Sequence, residues 1–500
     1  MIASDFSPTL VLKKGRWLMA TLACLVLAGC ASTSPQPFKE QDVDAQNISD
    51  RQKASAQSTP VTGPLSLQEA MARALKYNLQ QRVRLLEEAL ALKQLDVNQL
   101  DMLPYLLAKA GYSSRDNDRL SLSRDIATGA VSTTQAVSQD RTHTVSQLGL
   151  SWSLLDLGIG YYNSQQQANR VLIASERRRK AMHLLMQDVR SAYWRAASAQ
   201  ALQEKVQKTI EAAEDALRDA RRVEQARLRN PLDSLRYQRQ LLESLRLLES
   251  INQELSSAQI ELAALINAPV AERIEVIQPN WGKPKSKILA LSVTEMESMA
   301  VKQNADLMEE RLNVRNAVIE TKKVLARLFP NLSFSYGVNY DTDNFQVNNR
   351  WNEAGVQLSF NLFNIFTADM QNKLAAAGVT LAEQRRITAL MTVIAQVHLA
   401  RLGLVNATAQ YNRSEEIWQT DRKLAEHIAK REEAQTQSRL ERVSSETSAI
   451  LSLLRRYQAL AQAQIAEARL VATLGKDPVI GSVDQLSLFD LVQAISAAEK

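Results

Sequence analysis

Very few side chains in this sequence are placed to do covalent chemistry. It has two cysteines, Cys24 and Cys30, and four histidines, His143, His183, His398 and His427. The histidines are scattered, with none of the short spacings that hold a metal ion. No nucleophile–base–orienter set can be assembled from the chain. Gly475-Lys476 is followed by Asp477 rather than Ser or Thr, so it does not complete a phosphate-binding loop, and Leu157-Gly158-Ile159-Gly160 reads as a strand-to-helix turn. The sequence therefore predicts no enzyme, no metal and no cofactor. The one thiol whose surroundings point to a reaction is Cys30, directly after Leu27-Ala28-Gly29.

Those surroundings begin upstream. Lys13, Lys14 and Arg16 precede a short apolar run, Trp17 to Leu27. The run is too short to cross a bilayer as a helix, and it reads as a targeting segment outside the fold. Small residues before a cysteine resemble the bacterial lipoprotein signal. That resemblance implies cleavage before Cys30 and attachment of lipid, palmitate among the acyl chains, to its thiol and new amino group. Ala31, rather than Asp, then leans toward the outer membrane. Cys24 would leave with the signal, so the mature chain keeps no thiol for a disulfide or a metal.

The elements behind this signal are long. Only 15 glycines and 12 prolines punctuate 500 residues, aromatics are 5%, and the net charge is +6 with both signs interspersed. This pattern fits solvated helices better than a nucleic-acid face, and no nucleic-acid motif accompanies it. Residues 30–63 are rich in Ser, Thr, Gln, Asp and Pro and read as a flexible tether. Ser66 and Glu69 form a capping box that opens a helix expected to run to Leu103, before Pro104. Strands are expected at about 104–112 and 145–155, around a polar loop. A helix of ~105 Å should follow, up to Asn230. Pro231 breaks it, and a further helix should reach Asn267.

The pattern then repeats. Leu65, Ser66, Glu69, Lys76, Asn78 and Pro104 recur as Leu291, Ser292, Glu295, Lys302, Asn304 and Pro330, at a constant offset of 226. Six identities bracketing helices of equal length indicate a duplication. The expected organisation is a signal peptide (1–29), a lipidated tether (30–63), a first repeat (64–267), an equatorial linker (268–290), a second repeat (291–474) with strands at about 330–340 and 353–363, and a tail (475–500). The second long helix is expected from about Thr367 to Ala434, followed by one ending at Leu474.

The third strand alternates cleanly, with Leu332, Phe334, Tyr336, Val338 and Tyr340 on one face and Asn331, Ser333, Ser335, Gly337 and Asn339 on the other. A half-buried strand of a soluble sheet alternates in the same way. The export signal and the long flanking helices favour a membrane barrel. Four strands cannot close a barrel, so several copies would pool their strands.

The signal, the duplicated helix–strand–loop–strand–helix units and the paired starts Leu65-Ser66-Leu67-Gln68-Glu69-Ala70 and Leu291-Ser292-Val293-Thr294-Glu295 resemble the TolC family of outer-membrane efflux and secretion channels. The strand ending Leu150-Ser151-Trp152-Ser153-Leu154-Leu155-Asp156-Leu157-Gly158 fits as well. The resemblance implies a mainly α fold with a small β part. Its units would form a long periplasmic α-helical barrel and, as a homotrimer, a 12-stranded transmembrane β-barrel with four strands per chain. It implies a passive outer-membrane conduit, lipid-anchored through Cys30, that works with a periplasmic adaptor protein and a proton-driven or ATP-driven inner-membrane pump.

The family's interhelical tips carry a pattern close to Gly-x-x-Ser/Thr-x-x-Asp that meets the adaptor. It maps onto Arg227, Asn230 and Asp233 in the first repeat and onto Gln435, Ser438 and Glu441 in the second, so both glycines are missing. A plain helical turn capped by Asn230 or Ser438 is the alternative. The resemblance makes Glu441 a pore-constriction candidate, against a solvated carboxylate. The arginines 218, 221, 222, 227, 229, 236 and 239 read either as a dock for an acidic adaptor surface or as a solvated face with pairs one turn apart. Rival readings of the whole chain are a helical-hairpin adaptor lipoprotein, a coiled-coil envelope scaffold without a pore, and a hydrolase. The duplicated unit, the paired strands and the missing nucleophile count against them in turn.

Overall fold

The computed structural model describes residues 37–56, 58–226, 230–269, 274–278, 282, 286–434, 439–478, 480–481, 483 and 485–499. Cys30, Arg227, Gln435 and Ser438 lie outside the described residues. The chain falls into two units, divided after Gln57. In the first, helix α1 spans Glu40–Ser55 and buries none of its residues. The composition of residues 30–63 predicts a tether here. The segment instead carries no proline or glycine, and it places Glu40 and Asp42 in the first turn and Lys53 in the last, where they oppose the helix dipole.

The second unit holds the duplicated fold. The first repeat runs α2 (Leu67–Tyr77), α3 (Leu79–Leu100), β1 (Tyr105–Ser114), the short strands β2 (Leu120–Ser121) and β3 (Ala136–Val137), β4 (Thr142–Ser153), α4 (Leu154–Gln225) and α5 (Pro231–Leu265). The second runs α6 (Val293–Gln303), α7 (Ala305–Arg327), β5 (Asn331–Asp341), β6 (Arg350–Ser359), α8 (Phe363–Glu433) and α9 (Arg439–Leu474), and α10 (Leu488–Glu499) follows.

Each repeat departs from the expected continuous first helix at one residue. The break falls at Asn78 between α2 and α3 and at Asn304 between α6 and α7, where both asparagines adopt an extended ψ. Each uses its side chain twice. Asn78 Oδ1 accepts from the amides of Gln80 and Gln81, and its Nδ2 donates to Leu265 O at 2.9 Å. Asn304 Oδ1 accepts from Asp306 and Leu307, and its Nδ2 donates to Thr473 O at 3.0 Å. The amide thus caps one helix and ties it to the end of the last helix of its own repeat. The expected turn at Leu157–Gly160 is already helix, because Ser153 Oγ accepts from Asp156 N and starts α4 at the end of β4. At Gly160 an added Cβ would sit 3.1 Å from Met102 Cγ, so the methionine side chain would have to give way.

The helices form two rows. Beside the sheet, α3, α4, α7 and α8 pack in that order; farther along, the order is α5, α4, α9, α8. The length of α4 and α8, 72 and 71 residues, lets each serve both rows. The largest core lies where the rows meet and gathers Leu65, Met71, Tyr193, Leu262, Val276, Leu491 and Ile495. Tyr193 Oη reaches Ile277 O at 2.6 Å, and burial pushes its phenol up to about 12. The second repeat has its own core around Met296, Val397, Leu404 and Leu474.

The asparagine joints are expected to hold both repeats together. Asn304→Ala should cost about 2 kcal/mol through the lost cap and the orphaned Thr473 carbonyl, seen as a lower Tm in thermal unfolding. Asn349→Ala would not reproduce that loss at the helix joint. An unchanged Tm in Asn304→Ala would show that the joint carries no stability.

Candidate functional site

The four long strands form one antiparallel sheet in the order β1-β4-β5-β6. Its register sorts side chains by face. Trp152 pairs with Phe334, Leu150 with Tyr336 and Leu148 with Val338, while Ser151 pairs with Ser335, Gly149 with Gly337 and Gln147 with Asn339. On β6 the apolar face continues through Val356 and Leu358, opposite Phe334 and Leu332, and the polar face through Glu353 and Gln357. Across β4 and β5 the sheet therefore has one oily and one wet surface, with Tyr105 and Leu107 of β1 and Trp351 of β6 on the wet side, and its strands of 10 to 12 residues are long enough to cross a membrane when tilted. Among the described residues its outer strands, β1 and β6, each pair on one side only.

At the loop end, the connections between strands are fastened together. His143 Nδ1 lies 2.9 Å from Asp341 Oδ1, with both side chains nearly buried. Asp343 Oδ1 accepts from Asp140 N, and Asn344 donates twice to Asp140 Oδ2. Asn349 Nδ2 donates to the carbonyls of Asp341 and Asp343. The histidine that sequence spacing leaves isolated is thus a loop fastener.

At the opposite end of the long helices, Asn230 caps α5. Its Oδ1 accepts from Leu232 N at 3.0 Å, Pro231 takes the first helical position, and Asp233 lies in the first turn. Asp233 is exposed, 3.9 Å from Arg236. Glu441 is exposed in the first turn of α9. Several of the first-tip arginines meet carboxylates one turn away: Arg218 with Asp215, Arg222 with Asp219, and Arg239 with Glu243. That geometry belongs to a solvated face with local pairs. A link between the hairpins escapes sequence reasoning. Arg439 Nη1 donates to Asp219 Oδ2 at 2.6 Å, joining α9 to α4. Arg442 meets Glu432 at 2.8 Å and Glu446 at 3.2 Å. Asp219 and Arg439 are 220 positions apart, and no spacing rule brings them together.

The Arg439–Asp219 pair is half-exposed on both sides, so it sets position more than stability. A double-mutant cycle with Arg439→Gln and Asp219→Asn should return a coupling below about 1 kcal/mol in unfolding. A coupling several times larger would show that the tip is dry.

No protein-family model matches this sequence, and no curated protein sequence does. Solved structures do match. The outer-membrane channel OprN aligns over 85% of this chain and 95% of its own, with a TM-score of 0.64 and 14% identity. The Campylobacter jejuni CmeC outer membrane channel aligns over 86% and 89%, with a TM-score of 0.63 and 12% identity. The open state of the Neisseria gonorrhoeae MtrE outer membrane channel aligns over 82% and 88%, with a TM-score of 0.60 and 18% identity. The chain has the fold of these outer-membrane channels, which is the helical-barrel and β-barrel fold expected from its resemblance to the TolC family.

Proposed function

We propose that this protein is the outer-membrane channel of a tripartite efflux or type I secretion system, passively conducting substrates from a periplasmic adaptor and inner-membrane pump to the exterior. The observation that carries the reading is the sheet with one oily face and, among the described residues, two unpaired edges. Unpaired edges are not tolerated in hydrocarbon, so β6 of one copy would pair with β1 of the next. A head-to-tail contact of this kind generates a ring. Three copies give the twelve strands that the family resemblance implies.

The helices beside the sheet support the same closure. On α3, at one edge, Leu79, Val83, Leu86, Leu90, Val97 and Leu100 are exposed at alternating spacings of three and four, with Lys93 interrupting. On α8, at the other edge, Phe366, Met370, Leu374 and Leu381 are exposed. The most apolar window of α8 could cross a bilayer by composition, yet only 22% of it is buried. In a ring these two stripes cover each other as a seam.

Cys30 carries the lipid anchor in this reading. Arg227, Asn230, Asp233, Gln435 and Ser438 form the adaptor-contact tips, and Glu441 lines the narrow end of the pore. Opening is an iris-like shift at that end, restrained by the Arg439–Asp219 tie.

Purified protein added to planar bilayers should give discrete conductance steps. Leu90→Glu or Met370→Glu places a charge in the seam and should lower step frequency at least about tenfold. Arg439→Gln should raise conductance or opening frequency. A wild type that never conducts would overturn the channel, and seam variants that conduct normally would overturn the closure. Cys30→Ser should lose the acyl mass by mass spectrometry and leave the outer-membrane fraction more easily. A wild-type chain without acyl mass would overturn the anchor.

A further inference from the structure

The duplication leaves one charge without its counterpart. The hairpins α4–α5 and α8–α9 match at an offset of 208, Gln225 with Glu433 and Pro231 with Arg439. In the first, Arg195 of α4 pairs with Glu261 of α5. The matching positions in the second are Gly403 of α8 and Arg469 of α9. An added Cβ at Gly403 would meet nothing within 4 Å. One guanidinium is gone, and the carboxylate has become another guanidinium. Among the described residues Arg469 has no ion pair; its carbonyl accepts from Thr473 Oγ1 at 2.8 Å.

After Arg439 at its start, the exposed residues of α9 are Glu441, Ser448, Arg455, Gln462 and Arg469, seven apart. A seven-residue spacing keeps side chains on one face of a supercoiled helix. Within the chain α9 lies between α4 and α8, so this stripe is open although both flanks of the helix are covered. Leu470 and Leu474 of α9 pack with Met296 and Ala300 of α6. On α4, Leu185 and Val189 pack with Leu491 and Ile495 of α10, whereas Lys180 and Leu184 are exposed. In the proposed tube the side that α6 and α10 leave bare faces the lumen.

Beside Arg469 lies a cavity of about 300 Å³, where α7 begins and α9 ends. Arg179, Lys180, His183, Leu184 and Ala472 line it together with Arg469. The other cations there are matched. Lys180 Nζ meets Asp306 at 2.7 Å, Arg179 meets Glu176 at 2.8 Å, and His183 Nε2 lies 2.8 Å from Asp477 Oδ1. Among the described residues, Arg469 is the lining charge left without an opposite partner.

We infer that this cavity binds a small organic anion in transit, its carboxylate held by the Arg469 guanidinium and its apolar body against Leu184 and Ala472. A planar guanidinium meets a carboxylate with two parallel hydrogen bonds. A hollow with apolar walls and few convergent polar groups is the ordinary build of a small-molecule site. The transit, though not the binding, rests on the channel reading above.

Fluorine NMR of the detergent-extracted, full-length protein titrated with para-fluorobenzoate tests this. The wild type should broaden the fluorine line saturably, and unlabelled benzoate should reverse the broadening. Neutral para-fluorobenzamide should not bind. Arg469→Gln should weaken binding at least about tenfold, and Arg469→Lys should weaken it less. Arg455→Gln, on the same stripe but ~21 Å away along the helix, should bind as the wild type does. No saturable binding by the wild type, equal binding by Arg469→Gln, or an equal loss in Arg455→Gln would overturn the site. Conductance of the same samples separates the two readings. Binding without conductance keeps the site and removes the channel, and conductance without binding removes the site alone.

Discussion

A strand edge left open in hydrocarbon strands every outward N–H and C=O without a partner. In the proposed channel, that constraint organises the protein. Among the described residues the β1 and β6 edges each have one free side, and β4 and β5 between them separate Leu, Phe and Tyr from Ser, Gly and Asn. One copy folded in isolation is therefore incomplete at the level of backbone hydrogen bonds. The exposed stripes on α3 and α8 extend the same incompleteness down the helices.

Duplication supplies the material for closure at low sequence cost. The joints Asn78 and Asn304 perform the same two tasks in each half, a cap and a tie to a distant carbonyl. Near the sheet the halves stay alike. Toward the tips they diverge: Leu248 is buried in an apolar cluster, whereas Arg456, at the equivalent place in the second hairpin, pairs with Glu415.

Much of this was legible in the sequence. Period-two alternation over Leu332–Tyr340 gave the strand and its faces, and the constant offset gave the repeat. Long stretches without proline gave α4 and α8, the second running on through Gly378 and Gly403. The breaks at Asn78 and Asn304 were not legible, because one extended ψ interrupts a helix without proline or glycine, although both residues stood among the repeat identities. The helix α1 was missed because composition favours disorder over a helix with no core face. The Asp219–Arg439 and Glu415–Arg456 ion pairs join distant positions and leave no periodic trace. Of the tip residues, Asn230 is seen to act as a cap and Asp233 and Glu441 to be exposed; their meeting with a partner belongs to the proposal.

The central claim is that copies of this chain complete one another's sheet. Native mass measurement of the detergent-extracted, full-length protein tests it most directly. The account predicts a particle of three chains that persists on dilution. A stable, folded monomer with its sheet intact would contradict it.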